Sequence, residues 1–178
     1  MGVSIIAYSK LEHVPGMTPE QAWDDVQQGG AELVTTMAYG GFEASTRGIP
    51  GHDVPDDDGF IARAVYRTTD ATETALVMSR SYSGYGAFRE ALAGLVGLTP
   101  SQVWHDPVSY SEQPFFELIN FADNEGAIGH EAADDLLADF RQHHDLARER
   151  LDEYDLAAYE GWLTGLTLAA DEGVVVFG

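Results

Sequence analysis

The spacing of apolar and polar positions changes several times along this chain, and each change marks an element. Val3 to Tyr8 is short and rich in β-branched residues, which predicts a strand. Thr18-Pro19-Glu20-Gln21 puts a capping threonine before a proline at the first helical position and a glutamine at the third, so a short helix is expected through Gln28. Gly29-Gly30 stops it, and Ala31 to Tyr39 again reads as strand. Residues 40–59 form a long loop of Gly, Pro and Asp, of a length typical of lids, binding segments or disorder. Ile61 to Thr68 and Thr74 to Ser81 are strand-like runs separated by polar turn residues, the pattern of a hairpin.

Farther along, the period becomes helical. Past Gly84 and Gly86, Phe88, Leu92, Leu95 and Val96 share one face of a helix that ends at Gly97. Thr99-Pro100-Ser101-Gln102 repeats the capping chemistry of Thr18 to Gln21 without matching flanks. Phe115 to Phe121 is apolar on both alternating faces, which predicts a central strand. From His130, the positions Ala133, Leu137, Phe140, His144, Ala147 and Leu151 trace a long amphipathic stripe, with His144 expected in the core. A second helix over residues 154–170 turns Tyr159, Trp162, Leu163 and Leu166 inward, and Gly173 to Phe177 closes with a strand. The expected fold is α+β: one domain over residues 1–178, a mixed sheet with a central hairpin, and several helices including two long C-terminal ones. A wound α/β sheet is the alternative.

Composition narrows the function classes. With 178 residues, 44% of them hydrophobic, the chain can bury one substantial core. The absence of cysteine removes disulfides, thiolate nucleophiles and cysteine-ligated metals, and agrees with a cytoplasmic location. No stretch approaches the roughly 20 apolar residues of a spanning helix. Thirty acids against nine lysines and arginines give a net charge of −21. Nucleic acid and anionic membranes are therefore not expected partners, since both are bound through cationic surfaces. Three explanations of the acidity stand: a solvated surface suited to high salt, a mimic of nucleic acid, or an acidic cytosolic protein.

Two corners combine chemistry with glycines. In the first, Arg80, Ser81, Tyr82, Ser83, Gly84, Tyr85 and Arg89 lie where a strand turns into a helix. Free N–H groups, serine hydroxyls and two arginines favour an oxyanion there, and a tyrosine can stack on a ring. The bland reading is an ordinary turn, capped by Ser83, whose arginines pair with nearby acids. In the second corner, Glu117 and Asn120 sit within the apolar run and Asp123 and Glu125 follow it, with Gly126 and Gly129 allowing a tight bend. Glu117, Asp123 and Glu125 are the candidate acid–base groups, and Asn120 is a candidate ligand contact. Asp123 and Glu125 can also hold magnesium or simply stabilise the following helix start, and Glu117 can pair with Arg80 or Arg89. Neighbouring His143 and His144 point about 100° apart on a helix and make a poor zinc pair. His130 with Asp134 has better spacing at a helix start. No motif names a cofactor or a metal.

Four blocks carry a resemblance. Ala7 to Glu12 (AYSKLE), Ser81 to Ala93 (SYSGYGAFREALA), Pro114 to Gly129 (PFFELINFADNEGAIG) and Leu168 to Phe177 (LAADEGVVVF) together resemble a family of uncharacterised bacterial proteins. Its members carry an S-Y-x-G-Y turn and an E-L-I-x-F-x-D-x-E-G-x-I-G corner. The resemblance spans most of the chain but not His13 to Gly59, and Phe88 stands where the family pattern implies tryptophan. It implies no activity. The residues themselves point to an anionic, phosphate-containing small molecule held between the corners, with an enzymatic step open. The alternative is an acidic interaction or inhibitor protein that binds a basic partner. Oligomeric state is not legible.

Overall fold

The computed structural model describes residues 2–17, 21, 33–35, 65–121 and 126–178. The helix expected through Gln28, except Gln21, and the loop over residues 40–59 lie outside them.

The fold is α+β. One sheet has the strand order β5-β1-β7-β6, formed by Thr74–Ser81, Gly2–Tyr8, Val174–Phe177 and Gly126–Gly129. Every neighbouring pair is antiparallel, so the described strands give neither a mixed nor a wound sheet. A smaller sheet joins β2 (Glu12–His13), β4 (Val65–Arg67) and β3 (Leu33–Thr35) in the order β2-β4-β3. The two runs expected to form a hairpin adjoin in sequence, but β4 pairs with β2 and β3 while β5 pairs with β1. The segment from Gly2 to His13 is long enough to partner both. At its bend, Ser9 N–H donates to Glu73 O, and the Thr72 hydroxyl donates to Lys10 O.

Alternation in β1 buries Val3, Ile5 and Ala7 on one face. Ile5 and Ala7 line up with Phe177 and Val175 of β7 beneath the helical layer. On the opposite face, Tyr66, Ala127 and Val174 form a smaller cluster with Tyr8, Leu11 and Val176.

Seven helices follow β5 among the described residues. These are α1 (Tyr82–Leu95), α2 (Pro100–His105), α3 (Pro107–Tyr110) and α4 (Phe116–Asn120), then α5 (His130–Gln142), α6 (His144–Arg150) and α7 (Glu153–Ala169). Helix α7 lies directly on the sheet because two glycines, one turn apart, face Val77. A Cβ on Gly161 would lie 2.3 Å from Val77 O, and one on Gly165 2.3 Å from Val77 Cγ2. Trp162, Tyr159, Phe140 and Phe115 fill the interior, with Phe140 and Tyr159 ring centres 4.5 Å apart.

Further expectations are revised. Phe115 to Phe121 is not a central strand but holds the short helix α4, buried except at the half-buried Glu117; an apolar run of this length has the same pattern in either form. Gly126 and Gly129 are the ends of strand β6 instead of a bend. The long stripe from His130 breaks at His143 into α5 and α6, and His144 is half-exposed rather than core, its Nε2 2.7 Å from Glu160.

Candidate functional site

The first corner is built by β5 running directly into α1. Ser81 is the N-cap: its hydroxyl accepts from Gly84 N–H at 3.1 Å and lies 3.2 Å from the Ser83 hydroxyl. Ser81, not Ser83, therefore performs the capping, and Gly84 and Gly86 lie within the helix instead of before it. Tyr82 and both serines are exposed, and the first turn carries no acidic side chain.

Both arginines point into the fold. Arg80 donates to Asp155 at 2.7 Å and to the Tyr154 carbonyl, and its guanidinium lies 3.7 Å from the centre of the Tyr154 ring. The two ion-paired side chains are only 5% and 19% exposed, so this contact is shielded from solvent. It ties the start of α7 to the end of β5.

Arg89 joins the two corners. Its Nε donates to Leu118 O at 3.0 Å, and its Nη2 donates to Ile119 O. Trp104 Nε1 donates to Asn120 O at 2.9 Å, and the Tyr85 hydroxyl donates to Phe121 O at 3.1 Å. Four consecutive carbonyls at the C-terminal end of α4 thus receive side-chain donors from α1 and α2. A helix end leaves its final carbonyls without intrahelical partners, and here arginine, tryptophan and tyrosine supply them. A cation at this end also complements the helix dipole. Burial raises the Tyr85 pKa well above the usual phenol value, keeping the hydroxyl a donor. Burial lowers the Arg89 pKa, while Tyr85, Tyr82 and Glu90 oppose the shift.

The two corners are consequently neighbours through Tyr85 and Arg89. Asn120 is buried at the end of α4, and Glu117 stands half-buried in its first turn. Asp123 and Glu125 lie outside the described residues. Trp104 and Asp155 were not among the candidates. The capped segment Thr99–Gln102 announces a helix at Trp104, whereas the Arg80–Asp155 pair spans 75 residues and has no local signal.

A second polar node supports α4 from its other end. Phe115 has a left-handed φ of 62°, a strained conformation for a residue with a side chain, and its N–H donates to Asp139 Oδ2 at 2.9 Å. His143 Nδ1 donates to Asp139 O at 2.9 Å. Burial raises the Asp139 pKa above 3.8; the Phe115 bond and His143 oppose the rise, and Asp135 adds to it. The folded chain therefore holds this proton more tightly than the unfolded chain. Its stabilising effect is complete below about pH 3.8 and is lost as pH rises through the folded pKa. Urea unfolding across this interval should show Asp139→Asn losing that part of the pH dependence; an unchanged slope would contradict it.

Among the described residues, no group of three or more His, Cys, Asp or Glu side chains is placed to hold a metal, and no helix is long and apolar enough to cross a membrane. No protein-family model, curated protein or solved structure matches this chain.

Proposed function

We propose that this chain is an acidic interaction protein that binds a basic partner. The observation behind the reading is the engagement of both first-corner arginines: Arg80 with Asp155 and Tyr154, Arg89 with the α4 carbonyls. With those cations directed inward, a net charge of −21 favours a cationic partner over an anionic one. The motif resemblance to uncharacterised bacterial proteins is compatible with this role and adds no activity to it. Binding to a purified basic partner is expected to be rapid at low salt and to weaken steeply as ionic strength rises, measured by titration from about 50 to 500 mM salt. Affinity independent of salt would remove the electrostatic basis of the reading.

A second reading, an anionic small molecule at the first corner, has one specific support. The exposed Ser81 and Ser83 hydroxyls flank a helix start without an acidic side chain. Tyr82 would then cover the ligand, while Asp123 or Glu125 would supply a metal or proton contact. A thermal-shift screen of nucleotides and sugar phosphates, with and without magnesium, checks this reading. A flat response throughout would count against it.

A further inference from the structure

We infer that the exposed face of α2 and α3, centred on Trp104 and Val108, is the docking site for the basic partner, specifically for a cationic segment that also carries an apolar side chain. The inference rests on the interaction reading above and gives it an address.

Trp104 is 55% exposed and Val108 65%, although both are large apolar residues. They are four positions apart in the chain, so their Cα atoms are no more than about 14 Å apart, within the span of one short peptide. The segment is held in place by its caps. Thr99 and Gln102 form a capping box at the start of α2, and the Asp106 carboxylate accepts from Ser109 N–H at the start of α3. The Trp104 indole is oriented by its hydrogen bond to Asn120 O, and the Arg89 guanidinium lies over its ring 5.8 Å from the centre. An exposed tryptophan fixed by internal contacts loses little freedom on binding, which is the property of an interface anchor.

Charge selects the occupant. Residues 100–113 contain no lysine or arginine, and Asp106 and Glu112 are acidic. Asp106 is exposed between the two apolar anchors. Arg89, the nearby cation, is buried against the α4 carbonyls. A lysine or arginine of the partner can meet Asp106 or the exposed part of the Trp104 ring, while an adjacent apolar side chain packs on Val108.

The test uses a displayed library of 12-residue peptides, each with at least three lysines or arginines and one aliphatic or aromatic residue, selected against the full chain. An acidic library of the same length is the control. Enriched peptides are then titrated against the wild type, Val108→Ser, Trp104→Gln and Leu76→Ser, with circular dichroism confirming each fold. Leu76 is an exposed apolar residue on β5, outside this segment. The expected result is a weakening of at least about tenfold by Val108→Ser and Trp104→Gln, with Leu76→Ser unchanged. Val108→Ser carries the decision if Trp104→Gln fails to fold, because the valine side chain makes no hydrogen bond. Basic peptides that bind all four proteins equally would overturn this face but leave the acidic interaction reading standing. No enrichment over the acidic library would overturn both.

Discussion

Replacing Arg89 with methionine is expected to destabilise the fold by about 4 kcal/mol, lowering the melting temperature by roughly 10 °C. The substitution retains much of the apolar stem but removes the donors to Leu118 O and Ile119 O. Those carbonyls lie on buried residues at the end of α4, where the peptide groups have no further turn of helix to bond. Leaving buried acceptors unpaired costs more than the net value of an ordinary hydrogen bond. Arg89→Lys should recover only part of the loss, because an ammonium is a compact charge without the planar fork that reaches two carbonyls. Chemical denaturation of the three proteins checks the order wild type, lysine, methionine. Equal stability of the lysine variant and wild type would show that charge, rather than fork geometry, supports α4.

Gly173→Ala should be comparably severe, for a different reason. Gly173 lies between α7 and β7, where its N–H donates to Ala169 O at 3.0 Å. An added Cβ would lie 1.9 Å from Tyr8 O, 2.8 Å from Tyr8 C and 2.9 Å from Ser9 Cα. All three contacts are with backbone, so no side-chain rotation relieves them. The closing turn must move away from the bend after β1, weakening the bonds from Lys10 N–H to Asp171 O and from Leu11 N–H to Glu172 O. Overpacking of this kind typically costs about 1–3 kcal/mol, and contact with backbone places this variant at about 3 kcal/mol or above. A thermal melt showing less than about 1 kcal/mol of loss would mean that the turn adapts freely. Gly86→Ala is the control: a Cβ there meets nothing within 4 Å, and alanine favours a helix.

These two positions also show how far local pattern reaches. The sequence contains Arg89 in a helical segment and Gly173 before a strand, but neither spacing nor residue type specifies a carbonyl 29 or 30 residues away or a backbone contact with Tyr8. The arginine was therefore equally compatible with an external oxyanion and an internal helix end. The latter reading required the location of α4.

The sequence by itself determined the elements whose information is local: the β-branched run of β1, the Thr99–Gln102 cap, the glycine stop of the helix at Gly97, the inward face of α7 and the excess of acid. Burial period and capping act over a few residues, so they can be read without knowing the remainder of the chain. Only the tertiary structure decided that Phe116–Asn120 is helical, that β4 and β5 enter different sheets, and that Tyr85, Arg89 and Trp104 converge on one set of carbonyls. Those outcomes depend on which distant groups meet, because a buried backbone must find its partners wherever the chain brings them.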